Sequence, residues 1–182
     1  MMGQLGLGLL SFSVGTPPEE LARRVSIYRE GLAQCTAPIG STVNARAACF
    51  TMVNCAHTRD ASIDAARESF EWYPKRSAEL VASLPKWLDE MAGKPADHGT
   101  YSYLDGAAER IDHMDRVPLE HLMSTKACVV GDPEDVHATI EAYAATGADL
   151  LLCLVNPYNV SHEAVMTTIE LMGKHIIPEF SG

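Results

Sequence analysis

An α/β protein built on parallel strands is expected from three stretches of this 182-residue chain. Residues 127–157 read as strand, helix, strand: the apolar run Ala127-Cys128-Val129-Val130, the turn Gly131-Asp132-Pro133, a helical stripe, a stop at Gly147, and the apolar run Leu150 to Val155. Residues 5–53 follow the same order, and a capped helix starts again at Ser161. Strands that alternate with amphipathic helices pair in parallel, because each helix carries the chain back across the sheet. The length suits one core, so a single domain over residues 1–182 is expected.

Leu5 to Ser13 is an apolar run carrying Gly6 and Gly8, and is predicted to be the first strand. These glycines precede the strand's end, which is the wrong context for a nucleotide-binding fingerprint. Thr16-Pro17-Pro18-Glu19 has the form of a capping box, and Leu21, Val25, Tyr28 and Leu32 give the stripe of the helix it opens. After turn formers from Thr36 to Asn44, Ala45 to Val53 is the second strand, ending at Asn54-Cys55-Ala56-His57.

Asp60 is placed to cap a helix with Ile63, Ala66, Phe70 and Tyr73 on one face. Pro74 interrupts it, and Leu80, Val81 and Leu84 continue the pattern, which predicts a bent helix. Residues 93–106 form an irregular excursion with Tyr101 and Tyr103, followed by a helix through Ile111 and Met114, a break at Pro118, and a turn through Leu119, Leu122 and Met123. In the next unit Asp132 caps a helix with Pro133 at its first position, and Val136, Ile140, Tyr143 and Ala144 form its stripe. The unbroken run Leu150 to Val155 reads as a strand buried on both faces. Ser161 opens the last helix, striped by Val165, Ile169 and Met172 and finishing at Ile176-Ile177-Pro178.

A formal charge of −10 argues against nucleic acid and anionic membranes as partners, since phosphate-binding surfaces need a surplus of Lys and Arg. The apolar runs are too short to span a bilayer, and Met1 to Leu10 has no basic region of the kind that opens a secretory signal. A cytoplasmic protein is expected. The five cysteines, Cys35, Cys49, Cys55, Cys128 and Cys153, form an odd set with no C-x-x-C, which fits reduced, mostly buried thiols.

Parallel α/β proteins place their sites at the carboxyl ends of strands, here Ser11 to Thr16, Asn54 to Arg59 and Asn156 to Asn159. His57 is a candidate base or ring hydrogen-bond donor, with a plain surface histidine as the competing reading. No metal is expected: His113 and His121 are eight apart and His162 and His175 thirteen apart, so neither pair shares adjacent turns of one helix face. Ser11 and Ser13 sit in no G-x-S-x-G elbow, and the pairs Glu19-Glu20, Asp89-Glu90 and Glu134-Asp135 read as solvated charge.

Three anchors carry a family resemblance. Gly6-Leu7-Gly8-Leu9-Leu10-Ser11-Phe12 with the helix of Tyr28 is the first, and Thr51-Met52-Val53 through Asp60 and Ala66-Arg67 is the second. The third runs from Val130-Gly131-Asp132-Pro133-Glu134-Asp135-Val136 through Gly147-Ala148-Asp149 to Pro178. In this order they resemble the C-terminal half of the luciferase-like flavin-dependent monooxygenases, the family of bacterial luciferase. The third is similar to that family's V-G-x-P-E-x-V … G-x-D run. The resemblance implies a partial (β/α)8 TIM barrel, namely the last three strands and helices of a fold roughly twice this length. It also implies that Ser11, Phe12 and Ser13 lie against the isoalloxazine ring of reduced FMN or a deazaflavin, while the family's phosphate-site segments have no counterpart here.

The implied function is part of a flavin-dependent monooxygenase or oxidoreductase acting on a small organic substrate. No catalytic residue transfers, and flavin binding by this chain alone is expected to be weak. The alternative is a non-catalytic half-barrel module from a truncated gene, with an intact small enzyme using Tyr101, Tyr103 or His57 as a third reading. Three strands cannot close a barrel, so Leu9, Phe50, Leu152 and Leu154 are expected to face inward without an opposite wall. A homo-oligomer or a complementary half-barrel chain would cover them.

Overall fold

The structure, a computed structural model, describes residues 1–92 and 117–180. The expected excursion with Tyr101 and Tyr103, the helix at Ile111 and Met114, and His113 lie outside the described residues. Four parallel strands form the sheet: β1 (Leu9–Phe12), β2 (Ala47–Cys55), β3 (Val129–Gly131) and β4 (Leu150–Leu154). Between and after them run the helices α1 (Pro18–Ala33), α2 (Arg59–Ala92), α3 (Leu119–Ser124), α4 (Pro133–Ala144) and α5 (His162–Leu171). A π-helical turn at Met172–Ile176 joins α5 to the short α6 (Ile177–Phe180).

All three other strands pair with β2. The even-numbered residues of β2 turn their peptide groups toward β1, where Leu9 N–H donates to Arg46 C=O, and toward β3, where Ala56 N–H donates to Gly131 C=O. The odd-numbered ones face β4, where Asp149 N–H donates to Ala47 C=O. β3 therefore continues the edge that β1 begins, and β4 takes the other edge. The step from β2 to β3 runs opposite in direction to the steps from β1 to β2 and from β3 to β4. Right-handed crossovers must then put α2 on the opposite face from α1 and α4.

Two cores confirm this arrangement. On one face Leu21, Val25 and Tyr28 of α1, Val136, Ile140 and Tyr143 of α4, and Leu171 at the end of α5 pack on Ala47, Cys49 and Val53. On the other, Ala66 and Phe70 of α2 and Leu119 and Leu122 of α3 pack on Met52 and Val130. Between the first core and β2, Tyr143 OH donates to Thr51 Oγ1, which donates to Ala127 C=O.

Several expectations are corrected. Leu5 belongs to a 3-10 turn at Gly3–Leu5, not to the first strand. A side chain on Gly3 would meet Tyr28 O at 2.4 Å, so that turn is seated on the backbone of α1. Thr16 makes no capping box: Pro17 is the N-cap of α1, with no side-chain bond. Thr58 rather than Asp60 receives a first-turn N–H of α2, from Ala61. Pro74 and Pro85 both lie within α2, which is one unbroken helix, and Leu80 is 72% exposed. Ala144 is exposed, and in α5 the buried positions are Thr168 and Leu171 while Ile169 is exposed. By contrast, Asp132 accepts from Glu134 and Asp135 N–H, and Ser161 accepts from Ala164 N–H, as their cap positions predict.

β4 is not buried on both faces. Leu150 and Leu152 are 53% and 43% exposed, because no described helix covers that face of β4 at these positions. Register places Leu10, Ala48 and Leu150 in one row across the sheet and Phe12, Phe50 and Leu152 in the next. Both rows lie on the face away from α1, α4 and α5, and α2 covers the rows beyond them at Met52 and Leu154. Leu10 and Phe12 are 61% and 46% exposed, so this half of the face is open. Leu9 packs on the helical side with α1, one residue out of phase with the expected inward face.

Candidate functional site

The carboxyl ends of the strands gather the polar groups of this fold. At the end of β1 the three expected flavin-facing residues separate by period two. Ser11 and Ser13 are buried, and Ser13 Oγ donates to Phe50 C=O at 2.7 Å. Phe12 stands on the open face, its ring edge-on to Phe50 with centroids 4.9 Å apart. The segment thus presents an aromatic surface at Phe12, with the Ser13 hydroxyl engaged by Phe50.

Asn54 is the penultimate residue of β2 and is 1% exposed. Its backbone and side-chain carbonyl oxygens both lie 2.9 Å from Ser62 Oγ on α2, which also accepts Gly131 N–H at 3.0 Å. This joins α2, β2 and β3 in one buried network. Asn54 Nδ2 is left without a partner there. The next residue is held from the other edge, where Thr168 Oγ1 accepts Cys55 N–H and donates to its C=O, both at 3.1 Å. A side chain of α5 thereby takes the place of a neighbouring strand beyond the end of β4.

A cleft of about 240 Å³ opens over this strand end, between Ala61 and Ala65 of α2 and Ser161, Glu163 and Ala164 of α5, with Asn54 and His57 also lining it. His57 is exposed. The Lys174 ammonium, bonded to Glu170, holds that carboxyl below the usual range, with a smaller contribution from nearby His57. The β4–α5 loop is tied to α2: Tyr158 stacks on Trp72 at 4.1 Å and donates its N–H to Ser69 Oγ. Burial pushes the Cys49 and Cys55 thiols up to about 11 and Cys128 to about 12, which leaves them protonated and poor nucleophiles near neutral pH.

A flavin phosphate finds little here. Pro17 and Pro18 remove donors from the start of α1, and Glu19 sits beside them opposite Lys126 in a second cleft of about 440 Å³. The start of α4 is occupied by its own Asp132. The described residues therefore offer an exposed aromatic ring at Phe12, against which a flavin ring could lie, and few free phosphate donors at the starts of α1 and α4. Among the described residues no group of three or more His, Cys, Asp or Glu could hold a metal, and no helix is long and apolar enough to cross a membrane. The Asn54–Ser62–Gly131 network has no signature in sequence, since an Asn at a strand end and a Ser in a first helical turn are ordinary.

The profile described as luciferase-like monooxygenase matches residues 1–150. No curated protein matches the chain. Among solved structures it is similar to the monooxygenase RslO1 from Streptomyces bottropensis, at 14% identity and TM-score 0.54 over 98% of this chain and 44% of that one. It is similar also to the coenzyme F420 dependent tetrahydromethanopterin reductase from Methanopyrus kandleri, at 18% identity and TM-score 0.53, covering 98% and 47%. A third is the oxygenating constituent of 3,6-diketocamphane monooxygenase from Pseudomonas putida, in complex with FMN, at 19% identity and TM-score 0.59, covering 98% and 44%. At such identities the likeness is one of fold, and the chain spans less than half the length of each.

Proposed function

Because this chain belongs to the luciferase-like monooxygenase family, we propose that it is the C-terminal part of a flavin-dependent oxidoreductase of the monooxygenase type. Its cofactor in this reading is reduced FMN or a deazaflavin, and its substrate is a small organic molecule. The observation that carries the reading is the family match over a parallel sheet whose β1 ends in an exposed phenylalanine. Within it, Ser11, Phe12 and Ser13 are the flavin-facing segment: Phe12 offers the ring contact, and Ser13, bonded to Phe50 C=O, fixes the backbone that aims it. The bound flavin would supply the redox chemistry, and this chain would supply one wall that excludes water from it. The phosphate donors and the opposite wall would come from another polypeptide segment, as would the remaining barrel strands.

The open rows of Leu10, Phe12, Leu150 and Leu152 support a second reading, a non-catalytic half-barrel that dimerises through that face. The two are separated by titrating FMN and a deazaflavin against the chain, alone and mixed with a polypeptide carrying the first five strands of a luciferase-like barrel. Quenching of flavin fluorescence in the mixture but not with the chain alone, weakened by Phe12→Asp, is the expected result. Stoichiometric flavin on the chain alone would overturn the incomplete site. Flavin bound in neither case, by a chain that self-associates, would favour the second reading.

A further inference from the structure

We infer that the cleft at the carboxyl end of β2 binds a small uncharged molecule through an acceptor oxygen, a carbonyl in its simplest form. The first observation is Asn54. The residue is 1% exposed and is one of those lining the cleft, its side-chain oxygen meets Ser62, and its buried Nδ2 has no partner. A buried donor in that state bears its full desolvation cost until an acceptor arrives.

The start of α5 supplies further donors. Ser161 Oγ accepts Ala164 N–H at 3.2 Å and Ser161 C=O accepts Val165 N–H at 3.0 Å. The N–H groups of His162 and Glu163 precede any acceptor within the helix. Asn54, Ser161 and Glu163 line the same cleft, so Asn54 and Glu163 border one space.

Charge decides between an anion and a neutral acceptor. The Glu163 carboxylate lines the cleft, and Glu170 lies within the field of His57. Against these, and a chain charge of −10, a ligand carboxylate would be repelled. Ala61, Ala65 and Ala164 give the ligand an apolar seat. A volume of about 240 Å³ corresponds to about eight waters, which suits a single small ring and not a flavin. The cleft lies on the β4 edge of β2, where Thr168 bonds Cys55, whereas the segment Ser11 to Ser13 lies on the β1 edge. The inference is therefore independent of flavin binding.

The test follows the Asn54 side-chain amide and the Glu163 backbone amide by proton–nitrogen NMR while cyclohexanone is added, with acetate as the anionic counter-probe. A saturable shift of both signals with cyclohexanone, absent with acetate, is expected. Ala65→Leu should abolish it by filling the cleft. Ala61→Leu, at an exposed position of the same wall, serves should the first variant fold poorly. No saturable shift, an equal response to acetate, or a shift that survives in a folded leucine variant would overturn the inference.

Discussion

Removing the Asp149 side chain should destabilise the fold by more than a surface carboxylate normally contributes. Asp149 stands in the turn between α4 and β4, and its Oδ2 accepts Ala47 N–H at 2.6 Å and Arg29 Nη2 at 2.7 Å. Arg29 also donates to the carbonyls of Ala45 and Gly147, so one carboxylate ties α1, the start of β2 and the start of β4. Hydrogen bonds to a charged group contribute about 1.5–3 kcal/mol each. The side chain is 25% exposed and Arg29 37%, so solvent weakens the pair, and about 2–3 kcal/mol is the expected cost of Asp149→Ala. For a chain of this size that lowers Tm by about 4–12 °C.

Asp149→Asn keeps an acceptor for Ala47 N–H and should cost less. The Asp149 carboxyl is held below the usual range first by Ala47 N–H and then by Arg29. A carboxylate with a depressed folded pKa stabilises fully above its unfolded value, about 3.9, and the contribution disappears as pH falls through the folded value. The gap between wild type and Asp149→Asn, measured by urea unfolding, should be constant from about pH 5 upward and narrow in acid below about pH 4. Equal stability of Asp149→Ala and wild type, or a gap that does not narrow in acid, would refute this reasoning.

Asp132→Ala should cost about 0.5–2 kcal/mol in thermal unfolding, with ligand binding per folded molecule unchanged, since the carboxylate caps Glu134 and Asp135 N–H. Gly131→Ala should destabilise further, because Gly131 has φ 156° and the added Cβ would stand 2.3 Å from Asp135 Cβ; calorimetry reads the loss. In native protein at pH 8 a thiol reagent should leave Cys49, Cys55 and Cys128 unmodified, all being buried and protonated, and reach them only after unfolding.

Local signals in the sequence proved reliable where the partner is local. Asp132 and Ser161 cap helices because the N–H groups they accept lie two or three residues away. The stripes Leu21, Val25, Tyr28 and Val136, Ile140, Tyr143 are buried because one helical face suffices to define them. What failed depended on distant neighbours. The run Leu150 to Val155 is as apolar as a central strand, yet β4 is an edge, and only the topology shows that. Leu9 reads as inward-facing in sequence but packs with α1, since a shift of one residue sends a strand side chain to the opposite side. Thr16 lost its cap because two prolines follow it, and Pro17 takes the N-cap position. At the site, the strand ends were legible from the α/β rule, but the Asn54 network and the Thr168 bridge require contacts 8 to 113 residues apart in sequence.

In the proposed reading the chain is one wall of a barrel, and its open apolar face needs covering. Sedimentation velocity across the micromolar range tests it most directly. Concentration-dependent self-association is expected, abolished by Leu152→Lys on the open face while the Tm stays close to wild type. A compact monomer at every concentration, binding no hydrophobic dye, would contradict it.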